Sequence, residues 1–185
     1  MKKFLLVPAL ALVTAASAWA SPLTGSQVRL EYRVGTISSS PYPTGGNGDY
    51  LVGAGVEVAD VADGAATMDI SDDRIVIRFR YTNAFGLGDS AGPFQFNGWV
   101  LSDVLGQVDA FSAVSVDTAG TTLADFSPVQ LSFNANAITV NWKGLNFEEG
   151  QQLVLDLRTN PVPEPGGLPL MLAGLLGIAL VRLKR

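Results

Sequence analysis

Apolar and polar residues alternate through most of the interior of the chain. Val28, Leu30, Tyr32 and Val34 interleave with Arg29, Glu31 and Arg33. This period of two describes a half-buried strand, because successive side chains of a strand point to opposite faces. Ala66, Met68 and Ile70 alternate with Thr67 and Asp69. Ser71-Asp72-Asp73 then turns the chain into Arg74 to Tyr81, where Ile75, Ile77, Phe79 and Tyr81 share one face. That pattern predicts a β-hairpin. A second hairpin carries Val129, Leu131 and Phe133 before Asn134-Ala135-Asn136, with Ile138, Val140 and Trp142 on the return. Leu153, Leu155 and Leu157 alternate with Val154, Asp156 and Arg158 in the last predicted strand. Weaker patterns predict strands over Tyr50 to Val58, Phe94 to Leu101 and Phe111 to Asp117.

Met68, Ile70, Ile75, Ile77 and Phe79 correspond in order to Leu131, Phe133, Ile138, Val140 and Trp142. An ancient duplication would give this match, and shared alternation and turn length alone also suffice for it. No interior stretch sustains a helical period. About nine short strands with turn-rich connections predict an all-β fold, an antiparallel β-sandwich of jelly-roll-like type. Ser38 to Asp49 and Ala84 to Pro93 are rich in Gly, Pro and Ser or Asp. Such segments bury their backbone groups poorly and are expected on the surface.

The two ends break the alternation. Residues 1–20 place Lys2 and Lys3 before the apolar run Phe4 to Val13, then Ala18-Trp19-Ala20 just before Ser21. A basic start, a short apolar run and small residues at Ala18 and Ala20 are the three parts of a secretory signal peptide. Ala16-Ser17-Ala18 offers a second cleavage position. Residues 161–185 begin with Pro161, Pro163 and Pro165, which continue neither a helix nor a sheet ladder and so form an extended spacer. Leu168 to Val181 follows without a charge, and Arg182, Lys184 and Arg185 close the chain. As a helix, Gly166 to Leu183 rises roughly 27 Å against a bilayer core of about 30 Å. It is a short transmembrane helix, suited to holding a protein at the inner membrane temporarily. Its terminal cations lie on the cytoplasmic side by the positive-inside rule. The expected organisation is a signal helix over 1–20, an ectodomain over 21–160 and a membrane address over 161–185.

Pro163-Glu164-Pro165, the apolar helix and the basic terminus together resemble the PEP-CTERM sorting signal of Gram-negative bacteria. The resemblance covers about the last 25 residues and implies nothing about the domain before them. It implies an exosortase, a membrane-embedded transpeptidase-like enzyme, as the partner that recognises Pro163-Glu164-Pro165. With signal peptidase as a second partner, it implies delivery to the cell surface or the exopolysaccharide matrix.

Composition sharpens this picture. The chain has 185 residues, 48% apolar and 16% charged, with a net charge of −5 and no cysteine or histidine. Disulfides, thiol chemistry, the usual zinc sites and histidine-dependent triads are excluded. Residues 21–160 hold 16 of the 17 acids but only 7 of the 12 cations, a net −9. That charge argues against nucleic acid as a partner. Glycoside hydrolysis needs only two carboxylates, yet no spacing singles out a pair. The expectation is therefore a non-enzymatic, exported surface or matrix protein without a cofactor.

Two ligand-binding alternatives have residues behind them. Asp60, Asp63, Asp69, Asp72 and Asp73 lie close in sequence, as oxygen ligands for calcium would. Turn formation explains the same residues, and Arg74 stands where an EF-hand loop requires Gly. For carbohydrate, including extracellular polysaccharide as a partner, Tyr42 and Tyr50 flank the glycine-rich loop and Trp99 follows Asn97-Gly98. Trp99 and Trp142 both read as core, since large aromatics dominate apolar interiors.

Overall fold

Alternation sorts the side chains of each strand onto two faces. In the computed structural model, which describes residues 23–86 and 94–160, the apolar faces meet in a shared core. Ahead of the interruption come β1 (Gln27–Gly35), β2 (Gly48–Leu51), β3 (Val56–Val61), β4 (Ala66–Ile70), β5 (Arg74–Phe79) and β6 (Asn83–Ala84). After it come β7 (Phe96–Asp103), β8 (Phe111–Val116), β9 (Leu131–Asn134), β10 (Ala137–Asn141), β11 (Asn146–Phe147) and β12 (Gln152–Thr159). The described residues contain no α-helix, and a 3-10 turn over Pro128–Gln130 leads into β9.

One sheet runs β2-β1-β7-β10-β9 and the other β3-β4-β5-β12-β8, both antiparallel, with a short β11-β6 pair beside them. The all-β, antiparallel expectation holds, but the strand order is not that of a jelly roll. There, successive strands cross between sheets, whereas here β3-β4-β5 and β9-β10 pair with their neighbours in sequence. Connections of two to four residues favour this local pairing, because short loops lose little entropy on closure.

Both predicted hairpins form with the same register. Met68 faces Ile77 and Ile70 faces Ile75, as Leu131 faces Val140 and Phe133 faces Ile138. They lie in opposite sheets, and their last aromatics, Phe79 and Trp142, meet 6.0 Å apart across the interior. Two expected boundaries differ. Tyr50 to Val58 is not one strand: Val52 to Gly55 turns the chain from β2 in one sheet to β3 in the other. Val129 belongs to the 3-10 turn and is 89% exposed, because Pro128, with its fixed φ, starts the turn one residue before it. Val154, expected outward, is buried. The segment after β8 covers it, held there by Thr121, whose hydroxyl accepts the Val154 N–H at 3.0 Å.

The expected signal helix (1–20) and sorting segment (161–185), with Ala18, Ala20, Pro163, Glu164, Pro165, Arg182, Lys184 and Arg185, lie outside the described residues. Among the described residues, no helix is long and apolar enough to cross a membrane.

Gly98 sits opposite Asn141 in the β7–β10 pairing, between Trp99 and Asn97. A Cβ there would stand 1.9 Å from the Val140 carbonyl oxygen, a backbone atom that cannot give way without breaking the ladder. We expect Gly98→Ala to cost about 3 kcal/mol, measured by chemical denaturation. Gly53→Ala, whose Cβ would meet nothing within 4 Å, should change stability by less than about 0.5 kcal/mol.

Candidate functional site

At one end of the two sheets, three of the chain's four tyrosines line an open cleft of about 270 Å³. Its construction starts at Gly45 and Gly46. A Cβ on Gly45 would lie 2.3 Å from Tyr32 Cβ, and one on Gly46, at φ +76°, would lie 2.1 Å from the Asp60 carbonyl oxygen. Only glycine lets this loop enter so closely. The loop lies mostly on the surface, as expected, but is anchored at Gly45, which is buried.

Asn47 completes the seat with side-chain bonds that mimic a strand. Its Oδ1 accepts the Tyr32 N–H at 2.6 Å, and its Nδ2 donates to the Tyr42 carbonyl at 2.5 Å. The Tyr42 N–H donates to the Tyr32 carbonyl at 2.7 Å. Tyr42 is thereby held beside Tyr32 while remaining 41% exposed. Tyr50, the other expected aromatic contact, instead donates its hydroxyl to the Gly46 carbonyl at 2.8 Å. It supports the loop rather than the cleft.

The β3–β4 turn forms the facing wall. Irregular register between Val56 and Val58, and again between Val58 and Val61, lets both Val58 and Val61 face the core three residues apart. Ala62 (φ +56°), Asp63 (φ +59°) and Gly64 (φ +76°) then form three successive left-handed residues. For alanine that conformation costs roughly 1–2 kcal/mol. The loop offsets this: Gly45 O accepts the Ala62 N–H at 3.3 Å and Thr44 O the Asp63 N–H at 3.0 Å. The Thr44 hydroxyl also donates to the Asp63 carboxylate. Strain held in this way is commonly found where backbone geometry serves a ligand.

A continuous set of ring contacts lies behind the opening. Tyr42 meets Tyr32 edge-on at 6.3 Å, Tyr32 meets Trp142 at 6.1 Å, and Trp142 stacks on Phe85 at 4.2 Å and 9°. Phe85 meets Phe147 at 4.6 Å, and Phe147 reaches Tyr81 at 5.9 Å. The series begins and ends on cleft-lining tyrosines. The indole N–H of Trp142 makes a long hydrogen bond of 3.5 Å to the Tyr32 hydroxyl, which donates in turn to Asn97 Oδ1. Burial pushes the Tyr32 phenol up to about 12; the Trp142 N–H opposes this and the Asp63 carboxylate adds to it.

Of the residues expected to bind ligands, Tyr42 and Asp63 line this cleft. Trp99 is fully buried in the core, and Trp142 is buried behind the cleft. The remaining acids disperse. Asp72 accepts the Thr24 N–H at 2.8 Å, which lowers its pKa, while Asp73 bonds within its own turn through Ser71. Among the described residues no three acidic side chains gather to hold a metal ion. Asn97, named beside Trp99, lines the cleft where Trp99 does not; Tyr32, Tyr81 and Asn83 carry no such mark, since alternation alone places the tyrosines in the core. The one local signal was Asp63-Gly64 after Ala62, a turn composition suited to left-handed backbone.

Comparison with known protein families, with curated proteins and with solved structures finds no match.

The buried phenol predicts a stability change in alkali. Because the folded state raises the Tyr32 pKa from 10.0 to about 12, folding retains its proton. This contribution is fully present below pH 10 and is lost as pH rises towards 12, amounting to about 2–3 kcal/mol. Denaturant titrations across that range should show the fall in the native protein and a markedly smaller one in Tyr32→Phe.

Proposed function

We propose that this chain is an exported, non-enzymatic protein of the cell surface or extracellular matrix of a Gram-negative bacterium, sorted by an exosortase-type enzyme. The observation that carries this reading is the sequence of the tail, Pro163-Glu164-Pro165 followed by an uncharged apolar run and Arg182, Lys184 and Arg185. The signal helix directs export and is removed after Ala20. The ectodomain folds outside the cytoplasm, and the short C-terminal helix pauses in the inner membrane with its cations inside. That arrest presents the Pro-Glu-Pro spacer to the processing enzyme on the outer side.

The character of the ectodomain supports this reading. A domain without cysteine needs no oxidative folding machinery and depends on its core alone, and the described core joins both sheets. Acids reserved for local bonds, such as Asp72 to Thr24 and Asp117 to the amides of Ala119 and Gly120, serve structure rather than proton transfer.

Deleting residues 161–185 should abolish surface or matrix localisation and leave the domain in the periplasm, as read by fractionation. Replacing Pro163-Glu164-Pro165 with alanines should leave an unprocessed, membrane-held chain that retains the mass of its tail. Unchanged surface delivery of either variant would refute the sorting reading.

A further inference from the structure

We infer that the tyrosine-lined cleft is a binding site for a single residue of a neutral saccharide, with Tyr42 as the ring platform and Asp63 as the hydroxyl acceptor. The inference stands on the geometry of the ectodomain and does not depend on how the protein is delivered.

Three features of the cleft lead to this ligand class. The first is an exposed ring held in place. Tyr42 is 41% exposed, yet its backbone is bonded on both sides, to Tyr32 and to Asn47. A pre-positioned ring loses little freedom on binding, and its face suits the axial C–H groups of a pyranose. The second is a mixture of unused donors and acceptors. Asn97 spends its Oδ1 on the Tyr32 hydroxyl, which fixes its amide orientation, and its NH₂ has no partner among the described residues. Asn83 likewise spends its Oδ1 on the Ala84 N–H at 2.8 Å, and its NH₂ has no partner among the described residues. Asp63 offers the carboxylate oxygen that the Thr44 hydroxyl does not engage, and the Tyr42 hydroxyl has no partner among the described residues. Sugar hydroxyls donate and accept at once, so they can use this whole set. The third is size. At about 270 Å³ the cleft falls below the ~300–1,000 Å³ of sites for drug-sized ligands, which suits one sugar ring entering from a chain or a chain end.

The charge decides against two relatives of this ligand. Among the described residues no Lys or Arg lines the cleft and Asp63 does, in a domain of net −9, so a uronic acid meets repulsion. A quaternary ammonium would be drawn to tyrosine faces and a carboxylate, but it cannot use the two amide NH₂ groups. Left unpaired against it, they would lose their hydrogen bonds to water.

Saturation-transfer NMR on the full chain, held in a detergent without a sugar headgroup, tests the site. The probes are the methyl pyranosides of glucose, galactose and mannose, N-acetylglucosamine, glucuronate and choline. We expect transfer to at least one neutral sugar, strongest at ring C–H protons, and none to glucuronate. Tyr42→Ala should weaken binding at least tenfold, and Tyr42→Phe should retain most of it. Asp63→Asn, which keeps a residue comfortable in left-handed backbone, should weaken it several-fold at unchanged melting temperature. This variant decides the matter if Tyr42→Ala fails to fold. No transfer to any neutral sugar at millimolar concentrations, binding indifferent to Tyr42 and Asp63, or preferential binding of choline or glucuronate would each overturn the inference.

Discussion

Trp142 is the side chain on which the end of the molecule depends. It follows β10 in one sheet, yet its ring stacks on Phe85 and lies 6.0 Å from Phe79 of the other. Its indole N–H begins the relay through Tyr32 to Asn97. Large flat rings bury much apolar area while retaining directional preferences, so this cluster both joins the sheets and fixes the angles of its members. An aliphatic core of the same volume would supply the first effect without the second. The orientation of Tyr32, and with it that of Tyr42 and the amide of Asn97, follows from Trp142.

The second constraint is steric. Gly45 and Gly46 bring one connection within reach of β1 and of the end of β3 at distances a side chain would forbid. Asn47 then supplies both halves of a strand-like pairing from one amide group. The left-handed Ala62 and Asp63 are sustained by what this loop returns, two carbonyls and a hydroxyl. Loop and turn are therefore mutually dependent, and the cleft lies where they meet. The acidic balance of the domain acts over the same surface, and it bears on solubility and choice of partner rather than on the fold.

Much of the strand content was legible because alternation is a local property. Val28-Leu30-Tyr32, Met68-Ile70, Ile75-Ile77-Phe79 and Ile138-Val140 all bury the predicted face. The period failed where its surroundings overrode it: Pro128 displaced Val129 into a 3-10 turn, and the segment after β8 buried Val154 on the face expected outward. The candidate site was less legible. Tyr42 and Asp63 could be singled out by composition, but Tyr81 and Asn97 come from strands and connections remote in sequence. Trp99, which local context made a candidate, is fully buried.

The sequence by itself determined which faces of the strands are apolar, where the turns fall, and that an acidic domain without cysteine or histidine lies between two apolar ends. Those properties depend on neighbouring residues and on counting. Only the tertiary structure decided that the two matching hairpins belong to opposite sheets, that β2 and β3 part company at Val52, and that three tyrosines converge on one cleft. Each of these is set by contacts between distant residues, where packing of rings and close approach of glycine select among arrangements that the same alternation permits equally well.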